Sequence, residues 1–314
     1  MKPTRTSSTE VAYQKRASLL IETFGIECGV AGWSDIQPID IARWAIHKRT
    51  SLRPASWRQY RSALAYHFQQ LGADHGNVNA YDDAIQLLKN AGSEKCIRGK
   101  GAPSRTSSSK KRSLTQSELK AIIFYLDQHK TRWSLATALW LQSAVLTGLR
   151  PAEWKSASLE LLTTGKYELI LLNAKNSNCR GNGDDRTLQL GDIDQADLKI
   201  IQAHIEFVGV VVGHKVWERY YRECRKTLYR ATRTLWPNRT SYPTLYTGRH
   251  QFSANAKKAG LSKAEVAALL GHASMETAGI HYGKKRSGVV GFTVTPSSGD
   301  VARLKIIQPN VLKN

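Results

Sequence analysis

From Lys215 to Arg233 the chain places Lys215, Arg219, Arg222, Lys226, Arg230 and Arg233 at steps of four, three, four, four and three residues. Read as a helix, this spacing gathers the six cations on one face and leaves Trp217, Tyr220, Tyr221, Cys224 and Leu228 for the other. Like charges one turn apart destabilise a helix unless something offsets them, and a phosphate backbone supplies such an offset. The stripe lacks Asn or Gln suited to adenine, so phosphate contact rather than base reading is expected; a merely solvated face is the alternative. The whole chain shares the bias. Its 314 residues hold 46 Lys and Arg against 25 Asp and Glu, a formal net charge of +21, with a pI near 9.9. Nucleic acid is therefore the leading partner class and an anionic membrane surface the second.

Other chemistries find little support. The chain has no Walker loop, no G-x-G-x-x-G and no H-E-x-x-H, so neither a nucleotide cofactor nor a metal is expected. Adjacent Asp184 and Asp185 sit in a Gly/Asn-rich stretch and read as turn formers. Cys28, Cys96, Cys179 and Cys224 lie at least 45 residues apart, which excludes a C-x-x-C pair and fits a reduced, cytoplasmic, nucleoid-associated protein. The N-terminal text MKPTRTSSTEVAYQKR lacks the apolar stretch of a signal peptide. The longest apolar run, Trp133 to Leu149, is broken by Ser134, Gln142, Ser143 and two threonines, so it reads as a buried helix and no membrane partner is expected.

The elements that must position any site follow from periodicity. Residues 1–94 read as a self-contained helical domain, with Trp57, Tyr60, Leu64, Phe68 and Leu71 near helical spacing and Gly72 as a stop. Residues 95–112 (KCIRGKGAPSRTSSSKKR) hold seven basic side chains and no acidic one, the composition of a linker; Lys110, Lys111 and Arg112 in it are candidate DNA contacts. A second domain over 113–290 opens with a Thr115/Glu118 capping box ahead of Leu119, Ile122, Ile123 and Leu126. The run to Gly148 is its core helix. YELILLN (167–173) and RTLQL (186–190) read as the strands of a hairpin with a long polar loop, Val216 to about Leu235 as a helix, and Ser262/Glu265 cap another helix ending at Leu270 and Gly271. The fold class is mainly α with a small β-sheet, that is α+β.

Against these elements, Arg150 follows the core helix in LTGLRPAEW, and Lys175 lies in the hairpin in LNAKNSN. Further on come Arg249 in LYTGRHQFSANA, His272 in ALLGH and Tyr282 in AGIHYGKKRSG. In this order and separation they resemble the tyrosine recombinase (phage integrase) family over about residues 113–290. SWRQYRSALAYHF (56–68) is similar to a helix of that family's N-terminal core-binding domain. The resemblance implies a site-specific DNA recombinase. In it Tyr282 attacks a phosphodiester, Arg150 and Arg249 bind the nonbridging oxygens, Lys175 protonates the leaving 5′ oxygen and His272 bonds the phosphate or the nucleophile. It further implies a 3′-phosphotyrosyl intermediate, strand exchange through a Holliday junction, a homo-tetramer on paired double-stranded sites, an accessory DNA-binding protein in some systems, and no cofactor. The chemistry suits the residues. Guanidinium groups are planar bidentate donors for developing phosphate charge, and a phenol with pKa near 10 needs a cationic field or a base before it attacks. Alternatives are a type IB-like relaxing or resolving enzyme, or an inactive DNA-binding accessory protein.

Two positions depart from the family pattern. Tyr246 stands where H-x-x-R would place a histidine, and Tyr282 lies one residue later than usual, where His281 takes the expected place. Tyr246 is expected to position the phosphate or the Tyr282 hydroxyl, with water, His272 or His250 taking the proton. The tail 291–314 is expected to dock on a neighbouring protomer through VARLKII (301–307), a strand-like segment, with packing on its own domain as the alternative.

Overall fold

A computed structural model describes residues 6–29, 36–75, 78–99, 110–174, 181–275 and 283–304. They divide into two compact units, 1–105 and 106–314.

The first unit is helical. Helices α1 (Ser7–Cys28), α2 (Pro38–Lys48), α3 (Pro54–His75) and α4 (Val78–Asn90) bury Leu20, Phe24, Ile41, Trp57, Leu64, Phe68 and Leu88 in one core. The Trp57 indole N–H donates to the Ala91 carbonyl at 3.0 Å, and Arg49 donates to the Gly92 carbonyl at 2.9 Å, which closes the C-terminal end of α4. Gly72 does not stop α3. A β-carbon there would lie 3.3 Å from the Tyr81 Cβ, so its smallness serves close packing of α3 on α4.

The expected linker 95–112 is ordered at both described ends. Cys96 is buried in the first unit, and Ile97 N–H donates to the Leu52 carbonyl at 3.0 Å. Lys110 forms a bridge with Tyr242, and Lys111 N–H donates to the Tyr242 carbonyl at 2.9 Å.

The second unit packs helices around a small sheet. Helix α5 (Gln116–Gln128) starts with the Thr115/Glu118 capping box, and α6 (Ser134–Thr147) ends at Gly148, whose φ of +67° is the left-handed C-cap that glycine favours. A short 3-10 helix, Pro151–Ser156, leads to β1 (Ser158–Leu161), β2 (Tyr167–Leu172) and β3 (Asp185–Gln189). Helices α7 (Gln195–Gly213), α8 (Trp217–Leu235), α9 (Leu245–Lys258) and α10 (Lys263–Leu269) follow, then β4 (Thr295–Pro296) and α11 (Ser298–Ala302). The sheet is antiparallel in the order β1-β2-β3-β4. Trp140, Trp154, His204 and Tyr220 form the aromatic centre of the core, with Trp140 and Tyr220 stacked at 5.0 Å.

The segment after position 282 belongs to this unit as far as it is described. Val294 is buried, Phe292 meets Phe252 edge-on at 5.1 Å, and β4 extends the sheet on β3. Val301 and Ala302 close a helix rather than a strand, because Ser297 caps it by accepting from Asp300 N–H. Residues 305–307 of the expected strand lie outside the described residues. Among the described residues, no helix is long and apolar enough to cross a membrane.

Candidate active site

The text RPAE builds the first part of the site. Arg150 N–H donates to one Glu153 carboxylate oxygen at 2.6 Å and its guanidinium to the other at 2.6 Å, so the first turn of the 3-10 helix locks the arginine in place. Helix α9 then brings Arg249 against the end of α6. A β-carbon at Gly248 would come within 2.7 Å of Ala144 Cβ, so only glycine allows this approach. Arg249, fully buried, donates to the Gly148 carbonyl at 2.6 Å and the Leu270 carbonyl at 2.5 Å, and its guanidinium lies 3.7 Å from Glu153.

His272 arrives through a turn at Gly271, whose φ is +58°. Any β-carbon on Gly271 would overlap the Asn173 side-chain oxygen at 2.4 Å and the Arg186 guanidinium at 2.8 Å. The His272 Nε2 lies 3.4 Å from Arg249 Nη2. A guanidinium can only donate, so Nε2 accepts and the imidazole is neutral. Burial, and then the charges of Arg249, Arg150 and Arg186, push its pKa down to about 2.

Two residues that the motifs did not single out complete the cluster. Burial pushes the Glu153 carboxyl up, but Arg186, Arg249 and Arg150 outweigh this and hold it well below the usual carboxylate range. Arg186, on β3, pairs with Glu153 at 2.8 Å and 3.1 Å. Three buried guanidiniums thus face one buried carboxylate. Glu153 was legible as an acid three residues beyond an Arg-Pro start, which is capping geometry. Arg186 was legible only as a charge at an inward strand position, in phase with the buried Leu188 and Leu190.

Tyr246 and His250 lie one turn apart on α9, ring centres 5.3 Å apart and nearly perpendicular. Burial first, then Arg112, Arg249 and Lys257, lower the His250 pKa to about 4. Lys175 and Tyr282 lie outside the described residues. Their neighbours reach the site: Ala174 N–H donates to Glu153 at 3.4 Å, and a β-carbon on Gly283 would meet the His250 carbonyl at 2.3 Å.

Of the expected DNA contacts, Arg219, Arg222, Lys226, Arg230 and Arg233 are exposed on α8. Lys215 is not part of that helix; it precedes it, in a turn where its φ is +54°. Arg225 joins Arg222, Lys226, Arg230, Arg233 and Lys110 around a concavity of about 580 Å³, where the Arg233 guanidinium sits over the rings of Tyr229 and Tyr242 at 4.2 Å and 4.4 Å. Lys110 and Arg112 are exposed, whereas Lys111 is engaged by Glu118, which Arg239 also binds at 2.6 Å. Among the described residues no three His, Cys, Asp or Glu side chains group as a metal site would.

The transposon integrase of Tn1549, solved with a circular-intermediate DNA, superposes with a TM-score of 0.50 over 88% of this chain and 90% of its own, at 13% identity. The chain has the tyrosine-recombinase fold. Other solved tyrosine recombinases are similar. They include the XerH site-specific recombinase bound to difH (18% identity, 87% and 77% of the two chains, TM-score 0.46) and a lambda integrase dimer on a core site (16%, 88% and 88%, TM-score 0.42). No family model and no curated protein sequence matches the chain. In the tyrosine-recombinase fold of this chain, the α6 end, β3, α9 and the turn after α10 converge on the arginine cluster.

Proposed function

We propose that the chain is a site-specific DNA recombinase that cleaves and rejoins double-stranded DNA through a 3′-phosphotyrosyl link to Tyr282. The observation that carries this reading is the convergence of three buried guanidiniums, those of Arg150, Arg249 and Arg186, around the buried carboxylate of Glu153. Buried guanidiniums converging on one place suit a phosphodiester, most of all when attack adds charge to the nonbridging oxygens. Arg150 and Arg249 are the phosphate-binding cations in this reading, and Lys175 is the acid for the leaving 5′ oxygen. His272, neutral, bonds the phosphate. Phosphotyrosyl exchange conserves the number of bonds, so it runs without a cofactor. The exposed cations of α8 hold the flanking backbone, and the acting form is a tetramer on paired sites that passes through a Holliday junction.

A nicked suicide substrate tests the reading. The protein should become covalently attached to the 3′ end, and Tyr282→Phe should abolish the adduct while leaving DNA affinity nearly intact. An adduct that persists in Tyr282→Phe sinks the assignment of the nucleophile, and no adduct from the parent protein points to an accessory DNA-binding role. Exchange between two marked sites then separates recombination from relaxation of a single duplex.

A further inference from the structure

Arg186 lies outside the residues that carry the family resemblance, yet its side chain bonds to three separate parts of the site. On β3, with 1% of its surface exposed, it gives two bonds to Glu153, one to the Asn173 side-chain oxygen at 2.5 Å and one to the Leu269 carbonyl at 2.9 Å. Each acceptor leads to a different element. Glu153 holds Arg150. Asn173 begins the loop whose sequence includes Lys175 and ties that loop's far side by donating to the carbonyls of Asn182, Gly183 and Asp185. Leu269 ends α10, one residue before the carbonyl that receives Arg249 and three before His272.

We infer that Arg186 is a positioning residue of the phosphate pocket, a side chain that sets the 3-10 turn, the described ends of the hairpin loop and the α10 turn relative to one another. This rests on the recombinase reading above. Its guanidinium is turned inward to these acceptors and acts on phosphate only through them. A planar fork with its donors fixed in one plane meets four acceptors at once, which a lysine ammonium, with a single nitrogen, does not. Charge is its second contribution. Glu153 is faced by Arg150 from its own turn, Arg186 from β3, Arg249 from α9 and the neutral His272 after α10. Removing Arg186 takes away the strongest cationic neighbour of Glu153, and a protonated Glu153 no longer anchors Arg150 as an ion pair.

The test compares Arg186→Met and Arg186→Lys with the parent in single-turnover cleavage of a nicked substrate from pH 5 to 9, beside DNA affinity and circular dichroism. Arg186→Met should bind DNA within threefold of the parent but form the adduct at least a hundredfold more slowly, with the acid limb of its rate moved up by one pH unit or more. Arg186→Lys should keep the acid limb of the parent, because the charge remains, and still cleave at least tenfold slowly, because the fork is gone. A folded Arg186→Met that cleaves within threefold of the parent overturns the inference. Should Arg186→Met fail to fold, parent-like cleavage by Arg186→Lys overturns it equally. The parent separates this inference from the reading beneath it: no adduct from the parent refutes the recombinase reading. His272 is then followed by nitrogen NMR in the free protein, where an Nε2 resonance unmoved by both variants overturns the positioning role and a shifted one supports it.

Discussion

Tyr246 occupies a position from which a histidine would exchange protons near neutral pH, and a phenol does not. Its half-buried ring beside His250 is suited to donating one hydrogen bond. Tyr246→Phe should therefore slow cleavage by about tenfold or less, the scale of one hydrogen bond near 1 kcal/mol, and Tyr246→His should remain active. A thousandfold loss in single-turnover cleavage by the Phe variant would assign the phenol an essential proton transfer instead. The buried histidines give a second expectation. His204, pressed between Trp140 and Trp154, is lowered by burial to about 3, and His272 to about 2. In the unfolded chain both titrate near 6.5. Below that pH the unfolded state binds protons that the folded state refuses, so stability is complete above about 6.5 and falls as the pH drops towards the folded values. The slope is about 1.4 kcal/mol per pH unit for each histidine. His250, lowered to about 4, adds to the same slope. Urea midpoints for the second unit should fall steadily from pH 7 to pH 5, and His204→Gln should remove about a third of that slope; equal midpoints at the two pH values would contradict it.

Helix α8 shows what a charge stripe becomes once it is folded. Glu223 lies between Arg222 and Lys226, bonded to them at 3.2 Å and 3.3 Å, and so relieves the repulsion that the spacing implies. Replacing Arg222 and Lys226 together by Ala should weaken binding to specific and random DNA alike and lower the salt slope by up to about 2, at roughly 0.9 per lost phosphate contact. Glu223→Gln should do the reverse, with tighter binding and a steeper slope in an anisotropy series over salt. Parent slopes in both variants would mean that this face meets solvent. The capped helices, the stop at Gly148 and the hairpin strands were readable because each depends on neighbours within a few residues. Helix α7 is poorly legible in the sequence, although Leu198, Ile201, His204, Val208 and Val211 follow a helical period, because its end, VGVVVG, has the β-branched and glycine texture of a strand. Lys215 fits the spacing yet lies before the helix, since spacing alone does not reveal where a helix begins. Arg186 is the clearest limit. Its meaning depends on a carboxylate 33 residues earlier in the chain, which only the folded sheet brings into contact with it.

Across the whole second unit, the segment beyond the proposed nucleophile is part of the structure. Asp300 is buried, accepts from Thr187 N–H at 2.9 Å and pairs with Arg303, while its carbonyl receives the Asn182 amide at 2.5 Å. Arg303 reaches on to Asp185 at 3.0 Å, so this segment holds the outgoing foot of the hairpin loop. Truncation after Gly291, which removes buried Val294 and Asp300, should lower the melting temperature of the unit by several degrees, the effect of losing a few kcal/mol. Truncation after Leu304 should leave that temperature within a degree and reduce only cooperative assembly on paired sites, read by gel shift. A Leu304 truncation that assembles like the parent would assign no docking role to residues 305–314.

The same clasp sets an order in time. Residue 282 leaves the ribosome before residues 295–303, yet β3, already paired with β2, gains its second partner strand, and the foot of the hairpin loop a further anchor, only from those later residues. During synthesis, then, residue 282 is made first and the free edge of β3 is closed afterwards. A nascent chain that already carries the proposed nucleophile still lacks the clasp of Asp300 and Arg303 on the hairpin foot.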